Sequence, residues 1–253
     1  MRRHLVPFLL TCCLVLMAFS RSWAGSTEER LWQVQDILDR GVLTLTDGRQ
    51  LFFAGLWYAE QRLSGRLTTG LKQALDRLTN DRPLRPTPET APSFDRHGCM
   101  VAHVESDQGV SIQHALLQQG LAVVTPSFGL ASPDECATWL ALEDEARRSE
   151  LGLWRDPKQQ PQKASSMVEK VGRISLDEGR VVRTSSNDRY VYLNFGQDWR
   201  TDFTIRQRQK LLTKSNVEPD GFDGKNLRIR GFVQESHRPL INISNLQQIE
   251  VIP

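Results

Sequence analysis

Asp47-Gly48 separates two short apolar runs, Val42 to Leu45 on one side and Leu51 to Leu56 on the other. A turn dipeptide between alternating hydrophobics is a hairpin signal, so this part of the chain is committed to antiparallel strands. Trp32, Val34 and Ile37 lead into a turn at Asp39-Arg40-Gly41 and supply an earlier strand of the same meander. Leu67, Leu71, Leu75 and Leu78 then recur at helical spacing. Pro83, Pro86, Pro88 and Pro92 are expected to exclude regular structure over the next loop. Met100 to Val104 reads as a strand, Val110 to Gln119 as a helix ended by Gly120, and Leu121 to Val124 as another strand. Ser132-Pro133-Asp134-Glu135 starts a last helix, with proline in the first turn and acids favoured by the helix dipole. Trp139, Leu142 and Ala146 form its apolar face. Strands in a meander, an inserted helix, further strands and a closing helix predict a small OB-type barrel with capping helices.

After Trp154 the pattern stops. Arg155 to Ser166 is polar, contains Pro157 and Pro161, and has no apolar period, which is linker composition. Strand-like alternation resumes from Val168 to Leu176, with a turn expected at Asp177-Glu178-Gly179. Val181 to Thr184, Tyr190 to Phe195, Asp202 to Ile205, Leu227 to Val233, Leu240 to Ile243 and Gln248 to Ile252 are further β-prone runs, with a short helix expected over Gln207 to Thr213. The fold class is therefore mainly β with α (α+β), an OB-type barrel over 25–156, a linker over 157–167 and a second OB-like barrel over 168–253.

Residues 1–24 read as a signal peptide. Arg2 and Arg3 precede an apolar run from Leu5 to Phe19, and Ser22-Trp23-Ala24 offers small residues for cleavage before Gly25. The run falls short of the roughly 20 residues that span a bilayer, so a periplasmic or secreted protein with no membrane span after cleavage is expected. Residues 25–156 carry 13 Lys/Arg against 19 Asp/Glu, and residues 157–253 carry 16 against 11. Because phosphate neutralisation dominates nucleic-acid affinity, a polyanion contact belongs more naturally to the second half. Cys99 and Cys136 remain after processing; an oxidising compartment permits a disulfide between them, and two buried thiols are the other reading. The histidines have no zinc-site spacing.

Several segments resemble the staphylococcal nuclease (thermonuclease) family, in order along residues 31–155. They are the Asp47-Gly48-Arg49 hairpin, Ala54-Gly55-Leu56 with Glu60, Asp95-Arg96-His97-Gly98 followed by Val101-Ala102-His103-Val104, the Gly120-Leu121-Ala122 turn, and the helix ending Gly152-Leu153-Trp154. Lys225 to Gly231 and Tyr192 to Gly196 resemble, more loosely, barrels appended to bacterial thermonuclease-like proteins. The resemblance implies calcium-assisted phosphodiester hydrolysis, in which carboxylates hold the cation, a glutamate activates water and two arginines neutralise the phosphate. Carried onto this chain, it puts Gly41 at a metal-binding aspartate position. Phe52 falls at the first arginine position, Trp57 and Tyr58 at the second metal aspartate and its threonine neighbour, and Cys99 at the second arginine. Glu60 alone keeps the family identity. Loss of one transition-state donor commonly costs ~10²–10³ in rate, so losing both arginines and both carboxylates predicts an inactive scaffold.

That leaves three functional expectations. The first is a binding module for nucleic acid or another envelope component. Trp57 and Tyr58 could then stack on ligand, and Tyr190, Tyr192, Lys225, Arg228 and Arg230 would form a basic stripe beside aromatics. The second is a calcium-dependent endonuclease with non-standard ligands such as Asp36, Asp39 and Glu60; only this reading requires Ca²⁺, and no other cofactor is expected. The third is a structural envelope module that docks a protein partner.

Overall fold

The computed structural model describes residues 31–58, 68–87, 91–126, 132–164, 171–198, 200–214 and 218–253. The leader 1–24, Ala59 and Glu60 lie outside the described residues. No described helix is long and apolar enough to cross a membrane. Leu31–Pro253 form one compact unit built on two hydrophobic cores.

In the first core, β1 (Val34–Ile37), β2 (Leu43–Leu45) and β3 (Gln50–Phe53) make the antiparallel meander that the hairpin signal predicts. Leu43, Leu45, Leu51 and Phe53 are all buried, whereas Gln50 is exposed, so the period-two pattern faces the core. The hairpin closes through Leu45 N–H to Arg49 O and Gly48 N–H to Leu45 O. After β4 (Leu56–Trp57), Thr68 caps α1 (Thr69–Thr79) by accepting from Leu71 N–H, and Leu71, Ala74 and Leu75 point inward.

The proline-rich loop departs from expectation. Leu84–Pro86 form β5 and Ser93–Phe94 form β6. Pro86 ends its strand, where a missing N–H is tolerated. The expected strand over 100–104 is two strands, β7 (Met100–Ala102) and β8 (Val104–Ser106), with His103 between them.

β3 runs parallel to β7, β8 pairs with β5, and β5 returns to the start through the Trp32–Leu84 bridge. The ring order is thus first, second, third, fifth, fourth strand, with α1 between the third and fourth. This is the OB arrangement. Around it lie α2 (Ile112–Gln118), β9 (Val123–Val124), which pairs with β4, and α3 (Pro133–Arg148), capped by Ser132.

The Gly120-Leu121-Ala122 and Gly152-Leu153-Trp154 motifs meet in space. Gly120 O accepts from Leu153 N–H at 2.8 Å, both glycines have positive φ (64° and 53°), and a Cβ on Gly152 would lie 2.3 Å from Gly120 O. Backbone this close to backbone leaves no room for a side chain.

The presumed linker is partly structured. Gln162–Lys163 form β10, which runs parallel to β11 (Ile174–Arg180), and Ala164 is buried in the second core. The turn expected at Asp177-Glu178-Gly179 is instead continuous strand, with Asp177 buried and its backbone paired to Ile229. The second ring is β11, β12 (Arg183–Ser186), β13 (Tyr190–Asn194), β14 (Thr204–Arg208), α4 (Gln209–Lys214), β15 (Asn226–Ser236) and β16 (Arg238–Ile243). The strand 174–186 breaks at Val181-Val182, and its halves pair with β15 and β13, which closes the ring. β14 runs parallel to β16, so the order again is first, second, third, fifth, fourth. β17 (Ile249–Ile252) adds to β15.

Candidate functional site

Gly41 ends the 3-10 turn between β1 and β2 and adopts φ 76°. A Cβ there would sit 2.5 Å from Cδ2 and Cε2 of Tyr58, so the tyrosine ring already occupies the space of any side chain at position 41. Phe52, on the β3 face opposite Leu51 and Phe53, packs its ring against Tyr58 with centroids 5.6 Å apart and planes tilted by 59°. Phe52 lies opposite Val101 on β7, which places Cys99, two residues back, on the same sheet face. Three positions that the resemblance reads as substituted, Gly41, Phe52 and Tyr58, therefore lie together and share one volume.

Tyr58 is only 2% exposed and its hydroxyl has no partner. Burial pushes its phenol far above the ordinary value. It cannot stack on a ligand from this position, which corrects the expectation of an open aromatic pair at Trp57-Tyr58. Trp57 is half-buried opposite Val123 of β9, packed on a small cluster of Val123, Ala146, Trp154 and Leu176. Leu176 comes from the second barrel, so Trp57 belongs to the seam between barrels. Asp36 accepts from Ile37 N–H at 2.8 Å, and Asp39 heads the turn that Gly41 ends.

Of the two readings for the cysteines, the structure shows the pair of buried thiols. Cys99 and Cys136 are both free and buried. Cys99 Sγ lies 3.7 Å from Met100 O, and Cys136 sits in the first core with Trp139. Burial raises both thiols, Cys136 to about 11.

Arg228 and Arg230 do not form a basic stripe for a ligand. Leu227 and Ile229 face the core, as alternation predicts, but the arginines turn toward the first barrel. Arg230 is 1% exposed; its Nη1 donates to Glu143 Oε1 at 2.8 Å and to Val124 O at 3.2 Å, and its Nη2 pairs with Glu250. Arg228 bridges Glu178 at 2.8 Å, Asp144 at 3.2 Å and Glu250 at 3.5 Å. Glu143 also accepts Val124 N–H at 2.6 Å. Burial drives the Glu143 carboxyl up, opposed by Arg230 and Val124 N–H. Burial also works against the Arg230 charge, yet Glu143 and Glu250 outweigh it and hold the guanidinium cationic. The acidic α3 of one barrel and the basic β15 of the other thus satisfy each other.

Lys225 is exposed just before β15. Tyr190 and Tyr192 do share a face of β13, with ring centroids 6.3 Å apart. Their cationic neighbours come from β14. Arg208 lies opposite Tyr190 and Arg206 opposite Tyr192, and the Arg206 guanidinium sits 4.9 Å from the Tyr190 ring centroid. The signal for these arginines is present in the sequence, since Arg206 and Arg208 alternate with buried Ile205 and Gln207, but the basic residues beside Gly231 draw attention away from it.

Residues 70–156 match the model of the staphylococcal nuclease homologue family. The chain carries a thermonuclease-like domain. The match begins at α1 and ends just after the Gly152-Leu153-Trp154 turn, so it covers the framework helices and the glycine contact. Gly41, Phe52 and Tyr58 precede it. No curated protein matches the chain at a significant level.

Proposed function

We propose that this chain is an exported thermonuclease-like protein that has lost hydrolysis and acts as a binding module for nucleic acid or another envelope ligand. The observation that carries this reading is the Tyr58 ring in the space of a side chain at position 41. Calcium needs about 6–8 oxygen ligands. A glycine, a phenylalanine ring and a buried phenol with no room beside it offer no such set. At the arginine positions, Phe52 and the buried Cys99 thiol have no cationic donor for a phosphate in the transition state. The test is incubation of the mature protein with single- and double-stranded DNA in Ca²⁺ or Mg²⁺. No cleavage above buffer is expected, and cleavage that Glu60→Gln abolishes would overturn the reading.

A further inference from the structure

The outer face of the second barrel gathers arginines and tyrosines. Strand register puts Arg183 and Ser185 of β12, Tyr190 and Tyr192 of β13, Arg206 and Arg208 of β14, and Asn242 of β16 on one side of the sheet. Ile205, Val191, Ile241 and Ile243 point the other way into the core. No position on this face of the four strands carries a carboxylate. In the adjoining loops, Asp202 accepts from Asp198 N–H and Asp223 from Thr184 N–H, so these acids are turned to backbone, while the exposed Asp188 lies in the β12–β13 turn beside Arg189.

Arg183 and Arg208 are exposed, whereas Tyr190, Tyr192 and Arg206 are half-buried. Arg206 is held in place, its Nε donating to Asn242 Oδ1 at 2.7 Å while its guanidinium covers the Tyr190 ring. A guanidinium fixed in this way loses little freedom on meeting an outside anion.

We propose that this face binds single-stranded nucleic acid, with Tyr190 and Tyr192 stacking on bases and Arg183, Arg206 and Arg208 meeting backbone phosphates. It deepens the binding-module reading and rests on it. Half-buried rings on an outward sheet face, tilted 52° to each other and one of them backed by Arg206, offer faces to unpaired bases, which a duplex keeps stacked inside, and cations on strand positions that carry no acid select a polyanion. The two rings stand far enough apart to take one base each.

The test is fluorescence anisotropy of a labelled oligothymidylate and a matched duplex, with the full mature chain across a salt series. Single strands are expected to bind more tightly than duplex, with a log–log salt slope near −2 for three phosphates at about −0.7 each. Tyr190→Ala/Tyr192→Ala is expected to weaken binding by about tenfold or more per ring. Arg183→Glu/Arg208→Glu alters exposed side chains only, so it tests the face without disturbing packing; it is expected to abolish binding at about 0.15 M salt. Three results would overturn the proposal: no binding at low salt, equal affinity for duplex, or binding unchanged by both double variants. Cleavage of the oligonucleotide with binding still dependent on these residues would instead remove the loss of hydrolysis and leave the face standing.

Discussion

Gly41→Ala is the sharpest probe of the filled site. At φ 76° an alanine costs about 1–2 kcal/mol in backbone strain. Its Cβ also lands 2.5 Å from two carbons of the Tyr58 ring, an overpacking of the kind that costs about 1–3 kcal/mol. The single variant should therefore lose about 2–5 kcal/mol. Tyr58→Ala alone should lose about 3–5 kcal/mol through the cavity it leaves. In the double variant the added methyl enters the vacated space. The clash disappears and only the backbone strain remains, so the combined loss should fall short of the sum by about 1–3 kcal/mol. Urea unfolding followed by tryptophan fluorescence reports this, because Trp32 and Trp139 share the core with Tyr58. Additivity within about 0.5 kcal/mol would show that the two positions do not compete for one volume.

Tyr58→Phe removes a buried hydroxyl without a partner and should stabilise the protein by about 1–3 kcal/mol at neutral pH. Because the folded phenol titrates above the unfolded value of 10.0, the wild type is protected below that pH and loses stability as pH rises beyond it, by up to about 1.4 kcal/mol per pH unit. Thermal melts from pH 9 to 11 should show a flatter alkaline limb for Tyr58→Phe; Cys136 contributes equally to both proteins, and parallel limbs would refute the assignment. Arg230→Met leaves Glu143 and Glu250 without their shared cation and should cost about 3–5 kcal/mol. Adding Glu143→Gln, which keeps an acceptor for Val124 N–H, should recover about half; a single-variant cost below about 1 kcal/mol would mean that the seam is wet.

Much of the first barrel is legible in the sequence because its signals are local. The Leu43, Leu45, Leu51 and Phe53 alternation, the Ser132 cap and the leucine period of α1 each fix an element without distant help. What misleads is distance. Proline suggests a featureless loop at 83–92, but Trp32 N–H donates to Leu84 O and Leu84 N–H to Trp32 O across about fifty residues, and this pair draws β5 into the ring. Asp177-Glu178-Gly179 has turn composition, and pairing with Leu227 to Ile229 overrides it. The charge split between the halves of the chain is real, yet it reads as ligand preference only while the partner is unknown. Arg228 and Arg230 spend it on Glu143, Asp144, Glu178 and Glu250. Arg206 and Arg208, which face outward on β14 beside the tyrosines, are marked by their alternation with Ile205 and Gln207.

The filled site also constrains how a carboxylate could be introduced at position 41. A carboxylate at position 41 cannot enter first, since its Cβ meets the Tyr58 ring. Replacing Tyr58 with a smaller residue first opens a cavity beside Phe52 at a cost of several kcal/mol, a large share of the roughly 5–15 kcal/mol that holds a domain together. Each step is thus harmful alone, and neither restores a cation donor at Phe52 or Cys99. Active sites ordinarily keep charge and strain that the fold would do better without. Around Gly41 the packing is aromatic, with one polar exception: Tyr58 has a buried hydroxyl that a phenylalanine would not need to desolvate. Packing shaped for stability alone would not keep a buried hydroxyl without a partner. On the proposed reading, a ligand meets surfaces away from Gly41, and the arginine–tyrosine face of the second barrel is the one that pairs cations with aromatic rings.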